Sequence, residues 1–245
     1  MYKDNETEIS YHYLKEVIQH LKEPISVVGG WAVYFVVNKN FKKEHQIPYL
    51  GSRDIDLGFN TPETAKEAIK KLMVLGFKRI SFRYFKQIHI ETGKELGIQE
   101  AKNTPLHNIF PMYVDPILAE TDSTMKSKLG FMPIDEPLLK LVFADKKFRT
   151  EVTAFGTKVM VPHPKVLLAM KLNSLPNRDK EHKKIKDICD IVSIIMYSDT
   201  SLDLSLNKKH VEKAVSCVTK EDVVKVTQVL PLSEDIIWSA IESLK

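Results

Sequence analysis

The chain has 245 residues, 43% hydrophobic and 28% charged, with 9 Gly and 12 Pro. That composition excludes collagen-like and low-complexity classes and suffices for one large domain or two small ones. A total of 36 Lys and Arg against 32 Asp and Glu leaves a net charge of +4, too mild by itself to imply a polyanionic partner.

Two cysteines, Cys189 and Cys217, cannot build a disulfide framework or a structural zinc site. Both fall in apolar helical patterns and read as small core residues of a reduced protein. No apolar run reaches membrane-spanning length, and the first residues lack the apolar core of a signal peptide. A cytoplasmic location without a membrane partner is expected.

Ile9, Tyr13, Val17 and Leu21 recur at helical spacing, with Leu14 and Ile18 widening the stripe, until Pro24 stops the helix. Ile25 to Val28 is a β-branched run that predicts a strand. Gly29-Gly30 then turns the chain into an apolar helix beginning at Trp31. Asn38 to Tyr49 is polar and basic and reads as a frayed helix end and a loop. Asp54 to Phe59 alternates polar and apolar, the pattern of a half-buried strand. Thr61-Pro62-Glu63 opens a helix with a capping hydroxyl, proline in the first turn and an acid at the positive dipole end. Gly76 closes it. Residues 78–91 and 108–118 read as strands, and 148–161 as a hairpin turning at Gly156. Helices follow at about 164–173, 179–197, 208–218, 220–230 and 233–243, with Asp203, Thr219 and Ser233 as caps. The fold class predicted is α+β. An α+β domain occupies residues 1–162 and a helical domain residues 163–245; the resemblance given below implies that the first is a mixed sheet with flanking helices.

Three acids carry the chemical signal. On a strand, Asp54 and Asp56 share a face roughly 6–7 Å apart. At an effective dielectric near 20 their repulsion is roughly 3 kcal/mol. A cation between them removes that cost, and Mg²⁺ takes hard oxygen ligands. A lone pair of acids on a strand face is more often simply solvated. Asp115 is a single charge in the apolar run Met112-Tyr113-Val114-Asp115-Pro116-Ile117-Leu118. Such a carboxylate pairs with a base or a metal, or sits at a strand end. Gly29-Gly30 is either a phosphate cradle at a helix N-terminus or a turn that needs glycine. Tyr84, Phe85 and Tyr113 fit base stacking or, more commonly for strand aromatics, the core.

These segments resemble the polymerase-beta-type nucleotidyltransferase superfamily. The carriers are Gly29-Gly30-Trp31-Ala32-Val33, Ser52-Arg53-Asp54-Ile55-Asp56-Leu57 and Val114-Asp115. Within it the chain is most similar to the AbiEii-like toxin nucleotidyltransferases. Gly29, Gly30 and Ala32 match their first motif, and Ser52, Asp54, Asp56 and Leu57 their second. Lys171-Leu172, Arg178, Lys186-Asp187 and Asp190-Ile191 match the third. Two departures stand out. The insert Lys39 to Leu50 lengthens the path from Gly30 to Asp54, and Trp31 follows the glycines where serine is common.

The resemblance implies an Mg²⁺-dependent enzyme moving NMP from an NTP to an acceptor hydroxyl. Asp54, Asp56 and Asp115 would bind two Mg²⁺ ions and form the catalytic set. Gly29, Gly30, Ser52, Arg53, Lys171 and Asp187 would bind the nucleotide. The acceptor implied is RNA, such as a tRNA 3′ end, and an antitoxin protein is the implied partner. A small-molecule or protein acceptor is the alternative, as is a non-catalytic nucleotide-binding module. Lys186 and Asp190, four residues apart, also read as an ordinary solvated ion pair.

Overall fold

The computed structural model describes residues 4–21, 24–200, 206 and 208–244. In chain order the first part runs α1 (Asp4–His20), β1 (Ile25–Val28), α2 (Gly29–His45), β2 (Ile55–Phe59), α3 (Pro62–Val74), β3 (Lys78–Ile80) and β4 (Arg83–His89). It continues with α4 (Ile98–Asn103), β5 (Ile109–Leu118), α5 (Met125–Leu129), β6 (Ile134–Asp135), α6 (Leu139–Ala144), β7 (Arg149–Ala154) and β8 (Thr157–Pro162). Helices α7 (Pro164–Ser174), α8 (Glu181–Tyr197), α9 (Lys208–Ser216), α10 (Lys220–Thr227) and α11 (Glu234–Glu242) follow. The α+β class is therefore observed, as a mixed sheet with flanking helices and a helical C-terminal region.

The chain forms two compact units. Among the described residues, the sheet unit comprises those up to Trp31 together with Gly51–Val161. The helical unit comprises Ala32–Leu50 and the described residues from Pro162 onward.

In the sheet unit the strand order is β1-β2-β5-β4-β3. Only β2 and β5 run parallel along this path, and β6 lies parallel to the last residues of β5. Alternation decides the two faces. Ile55, Leu57, Tyr84, Ile88, Met112 and Val114 are buried, while Asp56, Arg83, Phe85 and Tyr113 between them are only half-buried. The α1 stripe from Ile9 to Leu21 is buried as its spacing predicts. Thr61 caps α3 by accepting from the Thr64 amide at 3.2 Å. A separate β7–β8 hairpin turns at Phe155-Gly156, both at positive φ.

In the helical unit α8 packs on α7, α10 and α11. Thr219 and Asp222 cap α10 reciprocally, amide to side chain in both directions. The Ser233 hydroxyl accepts from the Ile236 amide at the start of α11. The third expected cap, Asp203, lies outside the described residues.

Two expectations change. Residues 78–91 are not one strand but two, joined by a turn with Ser81 at φ 56°. Serine in the left-handed region carries no glycine or proline signal, so the alternation runs through the turn unbroken. Residues 38–45 are ordered helix, because Phe41 extends the buried stripe of Val33 and Val37 while Lys39, Lys42 and Lys43 face outward. The short elements α4, α5, β6 and α6 have too few residues to show a period.

Candidate active site

Sheet register builds the acidic site. Asp56 on β2 is paired with Asp115 on the parallel neighbour β5. Paired residues on adjacent strands lie about 5 Å apart and present their side chains on one face. Asp54, two residues before Asp56, belongs to the same face. Antiparallel β4 supplies the next member of the row. One step beyond the Tyr84↔Val114 pair, Arg83 comes abreast of Asp115.

Arg83 grips two of the acids. Its Nε donates to Asp115 Oδ1 at 2.6 Å, and its Nη2 donates to Asp115 Oδ2 at 2.8 Å and to Asp54 Oδ2 at 2.9 Å. The guanidinium also lies 3.9 Å from the Tyr113 ring centre. Burial opposes its charge, but Asp115 and then Asp54 outweigh burial and hold Arg83 firmly protonated. The cluster is half-open: side-chain exposure is 23% for Arg83, 29% for Asp54 and 9% for Asp115.

Asp56 faces the glycine turn. Gly29 opens α2 at φ +62°, and a Cβ built there would stand 1.9 Å from Asp56 Oδ2. Glycine is required twice over, for the backbone angle and for the room that the carboxylate occupies. Gly30 is buried in the first turn of α2. Trp31 is a core residue, its Nε1 donating to Ser10 Oγ at 3.0 Å. Ser52 is buried. Arg53 points away from the acids to Glu6 at 3.0 Å and lies over the Phe110 ring.

Carboxylates are the right donors for magnesium, but this arrangement does not fit the ion as it stands. Arg83 takes both oxygens of Asp115 and one of Asp54. Among the described residues no three His, Cys, Asp or Glu side chains converge as a metal site.

No protein-family model and no curated protein matches the sequence. Among solved structures the chain is similar to an antigenic nucleotidyltransferase-like protein from Paracoccidioides brasiliensis. The two are 16% identical over 98% of this chain and 92% of that one, with a TM-score of 0.46. No described helix is long and apolar enough to cross a membrane.

The third motif lies within the helical unit and is not a solvated surface. Lys171 on α7 reaches Asp187 Oδ1 at 2.6 Å and Asp190 Oδ2 at 2.7 Å, both on α8. Asp187 also accepts from Arg178 and from Ser174 Oγ. Asp190 accepts from Lys186 and, at 2.7 Å, from Tyr49 Oη. Lys171, Lys186, Asp187 and Asp190 are all buried. Burial works against ionisation of Asp187, yet Lys171 and Arg178 prevail and hold its pKa at about 2. Tyr49 comes from the insert after α2, and burial and then Asp190 push its phenol well above the usual range.

Two of these placements carried little sequence signal. Arg83 is one arginine at the head of an alternating strand, and only register puts it in the acidic row. Tyr49 ends a polar insert, and only tertiary packing brings it to Asp190.

Proposed function

We propose that the chain is a nucleotidyltransferase that moves NMP from an NTP to an acceptor hydroxyl, with RNA as the acceptor. The observation that carries this reading is the pairing of Asp56 with Asp115, with Asp54 on the same face and Gly29 against Asp56. The helix N-terminus at Gly29 and Gly30 suits a polyphosphate, and the half-open row of acids beside it offers a proton acceptor.

In the reaction, the acceptor oxygen bonds to the α-phosphorus and the bond from that phosphorus to the bridging oxygen breaks. Pyrophosphate leaves, and a carboxylate of the trio takes the acceptor's proton; we assign this to Asp115. The amides of Gly29 and Gly30 and the hydroxyl of Ser52 serve the triphosphate. Arg53 is held by Glu6 and is given no phosphate role. Lys171 and Asp187 neutralise each other, and we assign them to fastening α7 to α8. Magnesium rests on the sequence resemblance alone, since Arg83 holds the oxygens the ion would take. An antitoxin partner rests on the sequence resemblance alone.

The test is label transfer from each of four NTPs to total RNA with Mg²⁺ present, with protein and small-molecule acceptors in parallel. Wild type should label an acceptor, and Asp54→Asn or Asp115→Asn should lower the rate at least about a hundredfold. Label on protein or on a small molecule moves the acceptor assignment and keeps the class. No label on any acceptor defeats the proposal.

One observation favours a second reading, a non-catalytic nucleotide-binding module. Arg83 already relieves the repulsion between Asp54 and Asp115, so the acids coexist without a metal. That reading predicts NTP binding with no turnover.

A further inference from the structure

We propose that Arg83, Tyr113 and Phe85 form a stacking subsite for the terminal base of a single-stranded RNA acceptor, with Lys78 at its phosphate. The inference rests on the transferase reading above and adds where the acceptor lies.

Register puts these side chains on the half-open face, beside the acids. Tyr113 is two residues before Asp115 on β5, Phe85 is its partner on β4, and Lys78 is the partner of Phe85 on β3. Their neighbours along the strands, Tyr84, Met112 and Val114, are buried on the opposite face, whereas both rings are half-buried. The rings lie 6.2 Å apart at 37° to each other, and the Arg83 guanidinium lies over Tyr113, 3.9 Å from its centre. Asp115 and Asp54 hold Nε and Nη2, which fixes the guanidinium plane. Nη1 is left over: among the described residues nothing accepts from it, and the side chain is 23% exposed. Planar groups already fixed in place lose little freedom when a base stacks on them, and every base has a π-face. Aromatic rings and arginine planes are what unstacked RNA bases stack on.

Position on the sheet favours the acceptor over the incoming NTP. Across the strands the order is Gly29 against Asp56, Asp56 beside Asp115, then Arg83 and the two rings. In phosphoryl transfer the attacking and leaving oxygens lie roughly in line. With the triphosphate assigned to the Gly29 and Gly30 amides, pyrophosphate leaves on the β1 side and the acceptor oxygen arrives from the β5–β4 side. Asp115, assigned the acceptor's proton, stands at that boundary. Charge selects a polyanion there. Lys78 is exposed with no ion-pair partner among the described residues, and Arg83 Nη1 is a second free cationic donor. Phosphodiester oxygens accept from both.

The experiment is fluorescence anisotropy of a short single-stranded RNA, labelled with fluorescein at its 5′ end, on the full chain without metal or NTP. Tyr113→Leu and Phe85→Leu should each weaken binding about tenfold. Tyr113→Phe and Phe85→Tyr, which keep a ring, should bind as wild type does. Lys78→Gln should weaken binding about threefold at low salt and less at high salt. The same RNA annealed to its complement should bind wild type more weakly. Binding of a non-hydrolysable ATP analogue should be unchanged in the leucine variants. Circular dichroism checks folding. If a leucine variant does not fold, 5-bromouridine at the 3′ end of the RNA decides: ultraviolet light should cross-link it to the wild-type peptide holding Phe85 or Tyr113.

RNA bound as tightly by the leucine variants as by wild type, or by wild type as duplex and single strand alike, would overturn the subsite and leave the transferase reading standing. So would weaker ATP-analogue binding in those variants, which would give the surface to the NTP base, or a cross-link outside both peptides. An unchanged Lys78→Gln would overturn its phosphate role. No RNA binding by wild type would also overturn the subsite, and label transfer to protein or small-molecule acceptors would then keep the transferase class.

Discussion

Gly29 shows how one residue can be constrained from two sides. Its φ of +62° lies where a side chain costs about 1–2 kcal/mol, and its missing Cβ leaves space filled by Asp56. Gly93 has φ +66° but nothing within 4 Å of a built Cβ. Gly93→Ala should cost about 1 kcal/mol in urea unfolding, the dihedral alone. Gly29→Ala should cost at least about 2 kcal/mol more, because Asp56 must move. Equal losses would mean that the contact with Asp56 has no energetic weight.

Asp187 makes a pH prediction at the same scale. Its carboxyl is held at about 2, against roughly 3.9 in an unfolded chain. On acidification the unfolded chain takes up this proton first, so stability falls with pH. The contribution, roughly 2 kcal/mol, is complete above pH ~4 and is lost as pH drops through ~2. Asp187→Asn should be less stable at neutral pH and should have a shallower decline between pH 4 and 2. An unchanged acid slope would assign the titration elsewhere.

At the scale of elements, α7 and α8 are joined by ion pairs set among apolar side chains. Along α7 and α8, Leu168, Leu172, Ile188, Ile191 and Val192 are all buried, as are Lys171, Asp187 and Asp190 themselves. Removing one member of such a network strands the others without water. Lys171→Met should therefore cost about 3–5 kcal/mol by chemical denaturation, although methionine fills much of the lysine's volume. A loss under about 1 kcal/mol would show that water reaches Asp187 and Asp190. The N-terminus of α10 is a milder case: Thr219→Ala removes one side-chain cap and should cost about 1 kcal/mol.

At the scale of the whole molecule, each unit has its own core. In the sheet unit, β2 and β5 have ladder partners on both sides, while all three residues of edge strand β3 are exposed. Native-state hydrogen exchange should find the β2 and β5 amides slowest in that unit. The β3 amides and the β7–β8 turn should open first. Early exchange in β5 would mean that the row of Asp56, Asp115 and Arg83 has no rigid base.

Much of this was legible in the residues themselves. The α1 stripe, the strand Ile25–Val28 and its glycine turn, the alternation of Asp54–Phe59, and the caps Thr61, Thr219 and Ser233 all depend on neighbours within a few positions. The same holds for the suspicion that Asp115 needs a partner, since burial of a lone acid in an apolar run is a local fact. What that partner is belongs to the tertiary structure. Arg83 meets Asp115 through strand register, Tyr49 meets Asp190 through an insert, and Lys171 reaches α8 through helix packing. Contacts between residues far apart in the chain depend on how segments pack, and no local period or spacing encodes that packing.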